Sequence, residues 1–214
     1  MKIKIQLALD RIEWSRCFQL IEEVREYVDL VEIGTGIIKE YGMAIVREVR
    51  QSYPLLPIVA DMKICDAGQF EAIQAFQAGA DCVTVMGFAP ITTILEARQA
   101  AKDYDKQVIV DLLGMTDRRK VNQLAEIGCS HFCLHVGKDE QANGIQAEKH
   151  LFALVRGLKN VEISVAGGIN EKTIAHFLQY PIDQVIIGSA ITGSQHPKQA
   201  AKTIKNNCQS YKAR

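Results

Sequence analysis

Ionisable side chains interrupt several short apolar runs in this chain, and their types could do acid-base and metal-assisted chemistry. Asp10 follows QLAL, Glu32 sits inside LVEIG, Asp61, Lys63 and Asp66 share DMKICDAG, Asp111 follows VIV, and His135 lies within LHV. Glu32 is the most informative of these. A carboxylate within an apolar run must be paired, protonated or metal-bound to be tolerated. Two glycine-bearing segments, VAGGI at Val165 to Ile169 and IIGSAI at Ile186 to Ile191, offer a different chemistry. Glycines let a backbone approach an anion closely. The amides of Gly167, Gly168, Gly188 and Ser189, with a helix start behind them, could cradle a phosphate. Simpler roles compete at two positions. Asp10 could cap the helix that follows it, and Asp66 with Gln69 resembles a capping box.

The elements that must position these groups are read from hydrophobic periodicity. Apolar, β-branched runs are expected as strands at Ile3 to Leu9, Leu30 to Ile33, Ile58 to Asp61, Cys82 to Met86, Val108 to Leu112, His131 to Val136, Glu162 to Ala166 and Gln184 to Ile187. Between them, Glu71 to Ala78, Ile91 to Lys102, Arg118 to Ile127 and Ile174 to Leu178 carry apolar residues at helical spacing. Pro90 stands where a first helical turn tolerates it. Eight β/α units in 214 residues leave no room for a second domain, so the expected fold is α/β, a single (β/α)8 TIM barrel spanning residues 1–214. A doubly wound open sheet is the alternative. The first strand-to-helix turn lacks the glycine-rich dinucleotide fingerprint such a sheet would favour. In a barrel, the polar residues named above all fall at the strands' C-terminal ends, the rim that carries chemistry in this architecture.

Composition narrows the partners. Lysine plus arginine and aspartate plus glutamate number 25 each, with no long run of either sign, so no nucleic-acid partner is expected. The opening MKIKIQLALD alternates polar and apolar residues rather than forming a secretory signal, and no stretch is long enough to span a membrane. Six cysteines lack the paired spacing of a zinc site and are expected to be packing thiols in a reducing cytoplasm. Cys129 and Cys133 are expected on one face of a strand. Of the histidines, His135 is well placed at a strand end, whereas His150, His176 and His196 fall in helices or loops, which argues against a ribulose-phosphate epimerase.

DMKICDAG resembles the D-x-K-x-x-D signature of the orotidine 5'-monophosphate decarboxylase suprafamily. The likeness covers nearly the whole chain. QLALD, VEIGT, AFQAGAD, VDLLG, LHVGKDEQA, VAGGI and GSAITGS are similar to the family of 3-hexulose-6-phosphate synthases and 3-keto-L-gulonate-6-phosphate decarboxylases. The resemblance implies that Glu32 and Asp61 bind Mg2+, that Asp10 and Asp61 contact a sugar phosphate, and that Gly167, Gly168, Gly188 and Ser189 hold its phosphate. It implies a catalytic set of Lys63, Asp66, Asp111 and His135, with His135 moving the proton and Asp66 reaching across the interface of a homodimer with shared active sites. Asp111, Ala166 and Ser189 favour the synthase, the aldol condensation of formaldehyde with D-ribulose 5-phosphate. Lys138 points the other way, toward the decarboxylase. A non-catalytic sugar-phosphate-binding barrel is the remaining alternative, and it would have little reason to keep Glu32, Asp61, Lys63 and His135 together.

Overall fold

The computed structural model describes residues 3–143 and 149–210. Eight strands, β1 Lys4–Leu9, β2 Leu30–Ile33, β3 Ile58–Ile64, β4 Cys82–Met86, β5 Gln107–Asp111, β6 His131–His135, β7 Glu162–Ala166 and β8 Gln184–Ile187, run parallel in chain order. The sheet closes when β8 pairs with β1, Lys4 lying beside Gln184 and Leu7 beside Ile187. Helices fill the crossovers: α1 Trp14–Val24, α2 Thr35–Tyr41, α3 Met43–Ser52, α4 Gly68–Gln77, α5 Ile91–Asp103, α6 Arg118–Glu126, α7 Lys138–Ala142, α8 Lys149–Val155, α9 Ile174–Phe177, α10 Ser189–Thr192 and α11 Pro197–Ser210. The expected (β/α)8 barrel is the observed one.

Two buried clusters account for the apolar runs. Outward strand residues such as Leu7, Val31, Val85, Val110 and Val185 pack against helix residues such as Leu20, Val46, Ile94 and Ile204. Truncating a fully buried leucine here, Leu7 or Leu20 for example, would cost about 2–5 kcal/mol. Inward residues Leu30, Val59, Ile109, Cys133, Ala166 and Ile186, with Ala8 and Cys82 against them, form a smaller cluster inside the barrel. A strand covered on both faces reads as a continuous apolar run.

Local corrections have physical reasons. The β3 strand continues past Asp61 to Ile64, because its pairing with β4 resumes after a register shift between Ala60 and Ile64. Asp66 and Gln69 form no capping box: α4 starts at Gly68 after Ala67 in the left-handed conformation, with no side-chain cap. The Asp66 carboxylate instead accepts the Ala67 N–H at 2.8 Å. Asp10 does not cap α1, whose N-cap is Glu13; its Oδ1 accepts the Gly36 N–H in the first turn of α2, at 2.9 Å. Pro90 is the N-cap of α5 rather than a residue of its first turn. Cys129 and Cys133 are both buried but in different clusters, since the alternation begins only at His131. All six cysteines are free thiols.

Candidate active site

The inner cluster is a floor, and the site stands on it. Strand side chains alternate with a period of two, so the next inward position beyond each floor residue lies two residues on. From Ala8, Leu30, Val59, Cys82, Ile109, Cys133, Ala166 and Ile186, that step reaches Asp10, Glu32, Asp61, Thr84, Asp111, His135, Gly168 and Gly188. One rim therefore collects the carboxylates, the histidine and the glycine turns. Lys63, two residues beyond Asp61, completes the set.

Hydrogen bonds and charge tie these groups together. Lys63 Nζ donates to Asp61 Oδ1 at 3.1 Å and to Asp111 Oδ2 at 2.8 Å. His135 Nδ1 lies 2.9 Å from Asp111 Oδ2 and 3.1 Å from Oδ1, and Asp111 Oδ1 also accepts the Leu113 N–H at 2.9 Å. Burial alone would push the Asp111 carboxyl up, but the His135 contact and the Lys63 ammonium hold it down at about 2. Lys63 is likewise depressed by burial and raised overall by Asp61 and Asp111, so it stays an ammonium. Burial also works against the charged His135 ring. Asp111 outweighs that and raises its pKa above the ordinary value.

Glu32 has the opposite environment. It is 8% exposed, and its one protein hydrogen bond among the described groups comes from Gln6 Nε2 to Oε2 at 2.7 Å. Gln6 is held in turn by Gln184, whose Nε2 donates to its Oε1 at 2.5 Å. Burial, then the neighbouring Asp61 charge, raises Glu32 to about 8. Two oxygen ligands on adjacent strands, one with a largely unpaired carboxylate, suit a hard divalent cation. Among the described residues no group of three or more His, Cys, Asp or Glu side chains forms a metal cage. The carboxylates of Glu32 and Asp61 are a donor set that fits magnesium, which typically takes one or two carboxylates and fills its other positions with water and substrate oxygens.

Asp61 is clamped from both sides. Thr35 Oγ1 donates to its Oδ2, and Thr84 Oγ1 to its Oδ1, each at 2.8 Å. Neither threonine, nor Gln6, is among the residues expected from the sequence. The alternation that reaches Asp61 from Val59 reaches Thr84 from Cys82, so a signal exists there. On the opposite side of the mouth, Gly167 and Gly168 turn with φ of 111° and 68°. A Cβ at Gly167 would come 2.6 Å from the Val136 carbonyl oxygen, so only glycine fits. Gly188 leads into α10, which starts at Ser189.

Other expected residues stand apart. Asp66 is exposed beyond the end of β3, and Phe70, four residues on in the sequence, is 80% exposed. Lys138 is exposed at the start of α7. His176 and His196 are on the surface, and the His150 side chain lies outside the described residues. His131 is buried at the other end of β6, facing a cavity of about 1090 Å³ lined also by Lys4, Glu162 and Asp183. In that cavity Lys4 pairs with Glu162 at 3.5 Å, and Lys106 with the neighbouring Asp81 at 2.7 Å. The cavity lies at the end of the barrel opposite the rim.

The chain resembles known proteins over nearly its whole length. The chain is 34% identical over 204 residues to a 3-hexulose-6-phosphate synthase of Bacillus subtilis, covering 95% of this chain and 97% of that one. Among solved structures, 3-hexulose-6-phosphate synthase from Salmonella typhimurium superposes with a TM-score of 0.95 at 34% identity, over 98% of this chain and all of that one. KGPDC from Streptococcus mutans, solved in complex with a ligand, superposes at 0.90 with 29% identity, over 97% of each chain. The family model described as orotidine 5'-phosphate decarboxylase / HUMPS matches residues 4–204, and this chain is a member of that family.

Proposed function

We propose that this chain, acting as one barrel domain, is a lyase that joins formaldehyde to D-ribulose 5-phosphate in a Mg2+-assisted aldol condensation. The observation that carries the reading is the buried Glu32 and Asp61 beside the Lys63 ammonium, at the same rim as the Gly167–Gly168 and Gly188 turns. Its relatives at this identity, named 3-hexulose-6-phosphate synthase, support it. A bound magnesium ion supplies Lewis acidity toward the substrate's carbonyl and the hydroxyl beside it.

Glu32 and Asp61 hold that ion in this reading. Asp10 and Asp61 position sugar hydroxyls, and the amides of Gly167, Gly168, Gly188 and Ser189 bind the phosphate. His135, with Asp111 fixing its Nδ1, presents Nε2 as the base that removes the C1 proton. Lys63 neutralises charge growing on the enediolate oxygens, and C1 then adds to formaldehyde, whose carbonyl oxygen takes up the proton that His135 carries. Asp66 reaches the site of a second copy, and the exposed Phe70 is covered in a homodimer. No helix among the described residues is long and apolar enough to cross a membrane, and a cytoplasmic setting suits the free thiols.

Decarboxylation of 3-keto-L-gulonate 6-phosphate is the second reading, favoured by Lys138 and by the likeness to KGPDC. It would reach a similar enediolate by losing carbon dioxide. A side-by-side assay decides: formaldehyde consumption that depends on ribulose 5-phosphate, lost with chelator and restored by magnesium, is the expected result. Carbon dioxide release from the keto-gulonate phosphate without formaldehyde fixation would transfer the assignment, and metal-independent turnover would remove the mechanism.

A further inference from the structure

We propose that Thr84 is a positioning residue, whose single hydroxyl sets the Asp61 carboxylate and the Lys63 backbone in place relative to one another. The register of β3 against β4 creates the need. Ala60 pairs with Val83 and Ile64 with Val85, so three residues, Asp61, Met62 and Lys63, stand opposite the one residue Thr84. The Lys63 backbone has φ of 48°, a left-handed conformation that a residue with a Cβ disfavours. Cut off from the ladder, its N–H donates to Thr84 Oγ1 at 2.8 Å. The same hydroxyl donates to Asp61 Oδ1 at 2.8 Å.

The directions of these bonds are forced. An amide N–H can only donate, so the hydroxyl accepts from Lys63 and its own proton is left for the Asp61 oxygen. Thr84 is 5% exposed, and its methyl group limits the side chain's rotation, so the hydroxyl has little freedom to turn elsewhere. Asp61 and Lys63 are thereby coupled through the strand opposite as well as through their own ion pair at 3.1 Å. The Thr84 hydroxyl bonds to these two groups. It acts by keeping the carboxylate and the ammonium aimed at the same point.

This inference rests on the lyase reading for its catalytic consequence and not for its geometry. Thr84→Val removes the hydroxyl at nearly the same shape, Thr84→Ser keeps it, and Thr84→Ala is a second deletion should valine pack badly. In the magnesium-loaded enzyme, Thr84→Val is expected to lower kcat by about tenfold to a hundredfold, with KM for ribulose 5-phosphate within about threefold of the parent. Thr84→Ser is expected to recover most of that loss. The Lys63 amide, followed by hydrogen exchange, is expected to exchange at least about tenfold faster in Thr84→Val than in the parent or Thr84→Ser. Unchanged kcat in both deletion variants overturns the proposal, as does an equal loss in Thr84→Ser. If the parent enzyme itself lacks the activity, the lyase reading fails, and the Lys63 exchange rate alone then upholds or overturns the role of Thr84.

Discussion

Two histidines on one strand, four residues apart and facing the same interior, have been driven in opposite directions. His135 at the C-terminal end of β6 sits against the Asp111 carboxylate, which overcomes the burial penalty and raises its pKa. His131 at the N-terminal end faces the neutral Ser164 hydroxyl at 3.0 Å, with the Glu162 carboxylate farther off at 3.8 Å. Burial dominates there, and with help from Lys4 it lowers the ring to about 4 against the pull of Glu162 and Asp183. Both rings are on the same strand, and the one at the rim is the more exposed of the two, 20% against 8%. What differs is whether a buried carboxylate stands within hydrogen-bond reach, and the rim is where the fold concentrates buried carboxylates.

The contrast is broken most severely at Lys63. Lys63→Ala leaves Asp61 and Asp111 without the ammonium they share, and kcat is expected to fall by about a thousandfold in the formaldehyde assay. A loss below about tenfold would place the electrostatic centre of the rim elsewhere. At the other end the expected effect is on stability. The folded-state pKa of His131 lies below the value of about 6.5 expected when unfolded, so between those values the unfolded chain binds a proton that the folded one does not. Its contribution is thus complete above about pH 6.5, declines as pH falls, and levels off below about pH 4, a total on the order of 3 kcal/mol. Urea unfolding at pH 7 and pH 5 should show a larger loss of stability for the parent than for His131→Leu. Equal losses would mean that His131 does not titrate against burial.

The barrel is readable in the sequence because its strands are buried on both faces. Leu30–Ile33, Cys82–Met86, Glu162–Ala166 and Gln184–Ile187 stand out as apolar runs and end where expected. Part of the rim is readable for the complementary reason, that a carboxylate such as Glu32 inside such a run must be paired, protonated or metal-bound to be tolerated. Thr84 does not stand out, because a threonine among valines is ordinary strand filler. Its role depends on a register shift in the neighbouring strand, and no local pattern encodes that. The extension of β3 through Lys63 is hidden likewise, since DMKICD reads as a polar loop until the pairing of Ile64 with Val85 is known. Asp10 reads as a cap for its own crossover, whereas its partner, the Gly36 amide, belongs to the next one.

A milder change sharpens the comparison by making His135 resemble His131. Asp111→Asn keeps the shape of the contact and removes the charge that raises the ring. If His135 acts as the base it must be neutral to do so, and the parent's kcat/KM should therefore fall off on the acid side with a midpoint above the ordinary histidine value of about 6.5. In Asp111→Asn the midpoint should move to lower pH, since burial now opposes protonation with less resistance. Maximal kcat should also drop, because an amide can point its nitrogen at Nδ1 and select the wrong tautomer. An acid limb that stays in place while kcat falls would detach it from His135 and assign it to another group of the rim.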